Sequence, residues 1–310
     1  MVQGGVLNIL KPPGMTSHDV VNFIRKIFNT KKVGHTGTLD PAAAGVLPVC
    51  VGRATKIAQY IAGTDKTYRA EITLGITTDT QDAVGKILQV TDASAVKEEQ
   101  FRQVLESFCG HIEQIPPMAS AVKIGGKKLY QLQRQGKEVE RSPRPVTIYN
   151  IKTVWSTGWG TKHPRVLFDV HCSKGTYVRT ICNDIGNKLL VGAHMSFLLR
   201  ISVGQFKIDD TYTLEELQQM SDPGEALVDM DTALSQYPEV LVKTKAVKSI
   251  TSGAKLYPPG VLRQPDQLPP GQLVRLKDGD TLLALAVTQY ERQPMERVVF
   301  KPVCQVKING

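Results

Sequence analysis

The most constraining stretch of this chain is residues 34–52, GHTGTLDPAAAGVLPVCVG, because its apolar residues follow neither the helical nor the strand period. Its glycines and prolines are Gly34, Gly37, Gly45, Gly52, Pro41 and Pro48. Such a composition predicts a backbone held in turns that brings the main chain close to a ligand. Asp40 is the only acid in the stretch, so it is the first candidate for a chemical role.

Asp40 also has a purely structural interpretation. Aspartate is common at a helix N-cap, and proline is common at the first helical position, where Pro41 would stand. The dipeptide taken alone favours this interpretation, and only the whole surrounding stretch argues against it.

Composition limits the classes of protein and of partner. A chain of 310 residues with 41% hydrophobic residues can form one large domain and one small one, each with a core. Lys and Arg number 38 against 29 Asp and Glu, a net charge of +9 that suits a polyanionic partner such as nucleic acid. The alternative is a basic protein whose charge serves only solubility, because the basic residues are spread widely.

The cysteines and the N-terminus indicate the compartment. Five cysteines, an odd number without a C-x-x-C pair, indicate neither a disulfide framework nor a zinc site, so we expect reduced thiols and no bound metal. The first residues lack the pattern of a signal peptide, and no window approaches the ~18 apolar residues of a membrane span. We therefore expect a soluble, cytoplasmic protein, by default a monomer.

The N-terminal segment predicts a strand followed by a helix. Residues 5–11, GVLNILK, form a short apolar run that ends at the turn residues Pro12 to Gly14. Apolar residues then recur at helical spacing, with Ser17 as the expected N-cap and Asp19 in the first turn.

The remaining pattern predicts an α+β fold. Further predicted elements are a helix over 53–62, a strand over 67–75, a helix around 101–108 ended by Gly110, a strand over 165–172 and a helix from Val178. Strands and helices mix without a βαβ rhythm, so we expect a mixed, largely antiparallel sheet with helices. From residue 238 onward, prolines and glycines punctuate short strand-like runs, which predicts a small all-β domain over 238–310 after a larger domain over 1–237.

Four motifs together resemble those of the TruB family of pseudouridine synthases. They are GHTGTLDPAAAGVLP, KPPGMTSHDVV from Lys11, KTYRAEITLG and CSKGTYVRTICNDIG. The resemblance spans essentially the whole chain, and the segment after residue 238 resembles a PUA domain, an RNA-binding barrel. The alternative for that segment is a β-barrel of unknown use. The resemblance implies a pseudouridine synthase fold followed by a PUA-like domain.

The resemblance also implies roles for individual residues. Asp40 corresponds to the catalytic nucleophile, Tyr68 to the tyrosine that stacks on the target base, and Arg179 to the arginine that pairs with the aspartate. His35 corresponds to the residue that fills the space of flipped nucleotides, and Lys11 to a lysine at the rim of the cleft. Further expected RNA contacts are Tyr177, Leu198 and, in an RNA-gripping insertion at about 125–146, Lys127, Lys128, Arg134 and Arg141. A solvated charged helix and loop is the alternative for that insertion.

The implied reaction is the isomerisation of uridine to pseudouridine at position 55, in the T-arm loop of tRNA. It breaks the N1–C1′ bond and forms a C5–C1′ bond without net oxidation, so no cofactor is expected. A nucleophilic carboxylate must be ionised, and a buried one needs a cation such as Arg179 beside it. The target base must also leave its stack. The resemblance favours the stand-alone type, which needs neither a guide RNA nor a protein partner.

Three alternatives are considered. An RNA chaperone or scaffold would use the charge and the PUA-like segment but would leave Asp40 and Arg179 unexplained. A phosphate-handling enzyme would explain the glycines, yet no G-x-x-x-x-G-K-[ST] motif is present. Guide-RNA-dependent relatives of dyskerin share the aspartate loop, but this chain lacks long basic tails.

Overall fold

The computed structural model describes residues 4–291 and 297–306, so the outermost residues of the two predicted domains, 1–3 and 307–310, lie outside the described residues. The first half contains β1 (Gly5–Lys11), α1 (Ser17–Ile27), β2 (Val33–His35), β3 (Ala44–Val51), α2 (Ala58–Ala62), β4 (Lys66–Leu74), β5 (Ile76–Thr78), β6 (Ile87–Val90), α3 (Glu98–Glu106), β7 (Gly110–Gln114), β8 (Lys123–Ile124), β9 (Lys127–Lys128) and α4 (Leu129–Arg134). Then follow β10 (Arg144–Thr157), β11 (Arg165–Cys172), α5 (Val178–Lys188), β12 (Ala193–Val203), β13 (Phe206–Lys207), α6 (Leu214–Gln219), β14 (Glu239–Val242), α7 (Val247–Thr251), β15 (Val261–Arg263), β16 (Leu273–Asp278), β17 (Thr281–Glu291) and β18 (Arg297–Gln305).

The larger sheet has the strand order β1-β3-β12-β4-β11-β10-β7, with β2 beside β3 and β13 beside β12. Its pairs are antiparallel except for the short contact between β12 and β3, which is parallel. The expectation of a mixed, largely antiparallel sheet is therefore confirmed.

The centre of this sheet follows from strand alternation. In β11 the side chains of Val166, Phe168, Val170 and Cys172 are buried on one face, as the period of two requires. They pack with the buried face of α5, including Ile181. Truncating a fully buried ring such as that of Phe168 to alanine costs about 3–5 kcal/mol, so this layer holds α5 firmly against the sheet.

Helix α1 begins one residue earlier than the sequence predicted. Its N-cap is Thr16, not Ser17: the Thr16 hydroxyl accepts the N–H of Asp19 at 3.1 Å, and the Asp19 carboxylate accepts the N–H of Thr16 at 2.8 Å. Ser17 instead exchanges two hydrogen bonds with the backbone of Leu39, at 2.9 and 3.2 Å. The serine thus ties the helix to the loop that carries Asp40.

The expectation that residues 34–52 are all turns is wrong for their second half, which is β3. The side chains of β3 belong alternately to two apolar clusters, Val46 and Cys50 to one and Leu47 and Val49 to the other. A strand buried on both faces has no polar side, and therefore its sequence shows no period of two. The true loop is residues 36–43.

Two predicted helix boundaries also differ. Residues 52–57 form a 3-10 helix before the short helix α2, so only the second half of the predicted 53–62 helix is α-helical. Gly110 does not end α3, which stops at Glu106, but begins β7 with a φ of +104°.

The second sheet has the order β15-β14-β16-β17-β18 and lies entirely within residues 239–305. Apolar residues join this sheet to the part of the chain that contains the larger sheet. Ile57 and Ile61 lie in one cluster with Leu282 and Leu285 of β17. Asp231 adds ion pairs to Arg275 and Lys277, both at 2.6 Å. Within residues 4–291 and 297–306, every helix is too short or too polar to cross a membrane.

Candidate active site

Asp40 lies in the loop that leads into β3. β3 pairs with β12 only where Ala44 and Gly45 meet Leu199 and Arg200. Gly45 has a φ of +117°, and a Cβ there would lie 2.3 Å from the carbonyl oxygen of Arg200. Glycine is thus required for the close approach that positions the Asp40 loop.

Lys11 joins this loop to the turn that follows β1. Its ammonium donates to the carbonyl oxygens of Pro12, Met15 and Pro41, at 2.8, 2.6 and 3.2 Å. The side chain is fully buried, and burial lowers its pKa to about 8. The expectation of a lysine at the rim of the cleft is therefore wrong here, because three carbonyl groups use all three donors of the ammonium.

Arg179 links two carboxylates. It stands in the first turn of α5, its side chain is only 6% exposed, and its Nη2 lies 2.9 Å from both carboxylate oxygens of Asp40. Nη2 also donates to the carbonyl oxygen of Ala119 at 3.1 Å, while Nη1 donates to Asp82 at 3.3 Å. Such charge-assisted contacts fix both the position and the ionised state of a carboxylate.

Sequence reasoning missed Asp82. Its side chain is 12% exposed, and it accepts from the hydroxyl of Thr80 at 2.6 Å and from the N–H of Val84 at 3.2 Å. The signal was present as TDTQDAVG, a polar turn between two strands, but a polar turn between strands is also the ordinary form of a hairpin. Only the fold brings this turn to α5.

Burial raises the pKa of Asp40, and the charge of Asp82 raises it further. Arg179 opposes this effect most strongly, with smaller contributions from Lys11 and Arg200. The arrangement therefore holds a partly buried carboxylate whose ionised form is favoured mainly by one close arginine, as a carboxylate nucleophile requires.

Tyr68 lies on β4, where it pairs with Val170 on one side and with Arg200 on the other. It is 8% exposed, and burial raises the pKa of its hydroxyl, which therefore keeps its proton at neutral pH. Arg200 and Asp40 are among the charges that act on it. Tyr68 also belongs to the buried cluster that contains Leu39 and Ala43, so the aromatic ring and the Asp40 loop share one core.

Asp40 and Asp82 line a small cavity of about 40 Å³. Its other lining residues are Ala42, Ala43, Ala83, Val84, Met195, Ser196, Phe197 and Leu198. This volume holds a few water molecules and not a pyrimidine ring, so a substrate base must widen it. A larger cavity of about 400 Å³, lined by Asp65, His171 and Gln236 among others, contains none of the expected site residues.

The other expected contacts lie around this centre. His35 is half-buried on β2, its Nδ1 accepts the N–H of Gly37 at 3.2 Å, and burial lowers its pKa, which favours the neutral ring. Leu198 is 8% exposed at the cavity wall. Tyr177 precedes α5, and its backbone N–H and carbonyl both bond the side chain of Gln114, at 3.0 and 3.2 Å.

The predicted insertion consists of the hairpin β8–β9 and helix α4. Lys127 and Arg134 are exposed, and the cationic groups of Lys128 and Arg134 lie 5.6 and 5.5 Å from the ring centre of Tyr130. Arg141 is half-buried and donates to the carbonyl of Pro116 at 3.1 Å, so it anchors the segment. The exposed cations remain available for phosphate groups.

Three family models match successive parts of the chain. The N-terminal domain of TruB family pseudouridylate synthase matches residues 25–178, the C-terminal domain of tRNA pseudouridylate synthase B matches 179–235, and the PUA domain matches 238–307. Fold and site together define a pseudouridine synthase that carries a PUA domain.

Relatives of known name agree. The chain is 53% identical to tRNA pseudouridine synthase B of Pelotomaculum thermopropionicum over 97% of this chain and 96% of that one, and 44% identical to that of Moorella thermoacetica over 91% and 93%. The chain belongs to the TruB family.

Solved structures show the same fold. A Cbf5-Nop10-Gar1 complex matches with a TM-score of 0.79 and 32% identity, over 99% of this chain and 86% of that chain. An H/ACA RNP bound to a substrate RNA containing 2′-deoxyuridine matches with a TM-score of 0.77 and 30% identity, also over 99% and 86%. The expected pseudouridine synthase fold with a PUA domain is confirmed.

Proposed function

We propose that this protein isomerises uridine to pseudouridine in tRNA, at position 55 in the loop of the T-arm, without a guide RNA. The observation that carries the proposal is the partly buried Asp40 carboxylate, held at 2.9 Å by Arg179 at the wall of a small cavity, whose lining residues Ala43 and Leu198 share a buried cluster with Tyr68. The name of the relatives that are 53% and 51% identical, tRNA pseudouridine synthase B, supports tRNA as the substrate.

Asp40 is the proposed nucleophile. Its carboxylate forms a bond to the nucleotide, the N1–C1′ bond breaks, the uracil turns, and a C5–C1′ bond forms before the carboxylate is released. The proton on C5 leaves and N1 gains one, so atoms and electrons balance without an oxidant or a cofactor. Arg179 keeps the carboxylate ionised and aimed.

Base flipping explains the surroundings of the carboxylate. A uridine in a folded loop reaches Asp40 only after it leaves its stack, which costs a few kcal/mol. Stacking of the Tyr68 ring on the uracil offsets part of this free energy. The Leu198 side chain closes the pocket. The neutral ring of His35 fills the space that the flipped nucleotides leave in the loop.

RNA affinity is proposed to come from two further regions. The exposed cations Lys127 and Arg134 and half-buried Lys128 contact phosphates beside the loop, while half-buried Arg141 anchors the segment. Residues 238–310 form the PUA-like RNA-binding domain, and 1–237 form the catalytic domain.

The proposed activity requires no other protein. Cbf5 is solved in a complex with Nop10 and Gar1, whereas the relative that is 53% identical to this chain carries the name tRNA pseudouridine synthase B. We propose that this chain is a monomer in the cytoplasm that needs no protein partner.

The test is to incubate the purified protein, with no other protein or RNA, with an unmodified tRNA transcript. Pseudouridine is mapped by carbodiimide-dependent stops in reverse transcription, with Asp40→Asn in parallel. We expect a single stop in the T-loop that the variant lacks. Binding without modification would instead favour an RNA scaffold or a guide-dependent enzyme.

A further inference from the structure

Helix α5 and the turn at residues 79–85 are joined by two adjacent side-chain contacts. Arg179 donates to Asp82 at 3.3 Å, and the next residue, Thr180, donates its hydroxyl to the side-chain oxygen of Gln81 at 3.1 Å. Thr180 is 3% exposed. Two consecutive residues of the helix therefore hold two consecutive residues of the turn, and the proposed function gives a role only to the Arg179 contact.

Gln81 has an unusual backbone conformation. Its φ is +64°, the left-handed region that residues other than glycine and asparagine seldom adopt. The strain is held by the backbone, since the N–H of Gln81 donates to Thr78 at 3.2 Å and its carbonyl accepts from Met195 at 3.0 Å. A residue kept in this region beside an active site indicates a functional constraint.

The turn determines which oxygen of Asp82 faces α5. Oδ1 accepts from the Thr80 hydroxyl and the Val84 N–H, so Oδ2 is left for Arg179. Gln81, the residue just before Asp82, is the one that Thr180 holds. Gln81 thus connects α5 to the orientation of Asp82, and Asp82 acts on the arginine that holds Asp40.

We propose that Gln81 is a positioning residue for the reaction: its side-chain contact with Thr180 and its left-handed backbone hold Asp82 where it shares Arg179 with Asp40. This proposal rests on the proposed function, because the reaction that it affects is the one assigned to Asp40. Without the contact, Asp82 moves away from Arg179, so Nη2 keeps its contacts with Asp40 but Nη1 loses the acceptor that fixes the plane of the guanidinium.

Gln81→Asn tests the contact with little disturbance to the fold. Asparagine tolerates the left-handed region, but its amide is one methylene shorter and does not reach Thr180. We expect the single-turnover rate on tRNA to fall by about 10-fold to about 100-fold, as for a small misplacement of catalytic groups, with tRNA affinity unchanged. The matched control is Gln89→Asn, which shortens an exposed Gln–Thr contact of 3.1 Å with Thr91 on the same hairpin. The control should keep the wild-type rate.

The pH profile separates positioning from simple loosening of the fold. Asp40 is faced by Arg179 of α5, by Asp82 of the turn, by Lys11 of β1 and by Arg200 of β12. Because the charge of Asp82 raises the pKa of Asp40, displacement of Asp82 lowers that pKa. In Gln81→Asn the acid limb of the rate profile should therefore move to lower pH, which a general loss of folded protein would not produce.

Thr180 provides the reciprocal test. Thr180→Val keeps the shape and removes the hydroxyl, so it should reproduce the loss in rate, whereas Thr180→Ser keeps the hydroxyl and should restore it. Equal rates for Val and Ser, or wild-type behaviour of Gln81→Asn, would overturn the proposal.

A crystal structure of Gln81→Asn makes the test independent of activity. An unchanged contact between Asp82 and Arg179 would overturn the proposal even if the variant were slow. Wild-type protein that failed to modify tRNA would instead overturn the proposed function, and the crystallographic comparison would still decide the role of Gln81.

Discussion

Nη2 of Arg179 lies at the same distance, 2.9 Å, from both carboxylate oxygens of Asp40. The usual two-nitrogen fork between arginine and a carboxylate is absent at this pair, because Nη1 faces Asp82 at 3.3 Å. One planar cation thus serves two acids, and the charge available to Asp40 depends on where Asp82 lies.

Arg179→Lys preserves the positive charge but not the contacts of one planar group with two carboxylates. An ammonium is a compact point charge and does not reach Asp40, Asp82 and the Ala119 carbonyl in the same plane. We expect the single-turnover rate to fall by about 10²-fold or more, the effect of removing one aligned donor from a buried site. Quench-flow with tRNA labelled with tritium at uridine C5 measures it. A lysine variant as fast as the wild type would show that the pairing has no catalytic role.

Asp82→Asn removes a negative charge that raises the pKa of Asp40. The reactive form of Asp40 is the anion, so a lower pKa extends activity to more acidic conditions. We expect the acid limb of the rate profile to move to lower pH and the plateau rate to fall by about tenfold or more, since Arg179 loses one of its anchors. The measurement is the single-turnover rate between pH 4 and pH 8. An acid limb that stayed in place would mean that the charge of Asp82 does not reach Asp40.

Two substitutions separate the ring of Tyr68 from its hydroxyl. Tyr68→Phe keeps the stacking surface, so tRNA affinity should stay at the wild-type value while the rate falls by about 10²-fold through loss of a proton-carrying group near Asp40. Tyr68→Ala should in addition weaken binding by about 1–3 kcal/mol, the value of one stacked base. Filter binding and single-turnover rates distinguish the two. A fully active phenylalanine variant would restrict Tyr68 to stacking.

The exposed cations of the insertion predict a salt dependence. Replacing both Lys127 and Arg134 by alanine should reduce the steepness of the slope of log affinity against log salt concentration by about 1.5. This is the number of counterions that two phosphate contacts release. The matched control replaces Lys97, just before α3, and Arg102 of α3, both of which are exposed, with the same change in net charge. If the two double variants had equal slopes, the insertion would act only through net charge.

Gly45→Ala should disrupt the site through the backbone. Gly45 has a φ of +117° and its Cβ would meet Arg200 backbone atoms at 2.3 to 2.9 Å, so β3 and β12 must separate. The control is Gly14→Ala, which has a φ of +89° and no atom within 4 Å of the added Cβ. Strain alone costs about 1–2 kcal/mol in the control, whereas Gly45→Ala should cost clearly more and should also abolish activity. Urea unfolding measures both, and equal losses of stability would refute the steric argument.

The sequence by itself determined the elements whose pattern lies within a few neighbouring residues. β1 and β11 lie at their predicted bounds, since apolar runs and alternation report burial directly. Signature motifs also identified the family, because Asp40, Tyr68 and Arg179 stand within strings long enough to be specific.

Tertiary structure decided what depends on contacts between distant residues. β3 escaped the pattern because the fold buries both of its faces, and Lys11 is a buried support of the loop because three carbonyls converge on it. Asp82 reached the site because the pairing of β12 with β4 and the packing of α5 bring a hairpin turn against Arg179. A sequence pattern indicates which residues are buried and which are exposed to water. The distance between Arg179 and Asp82, which are 97 residues apart, is set only when the chain has folded.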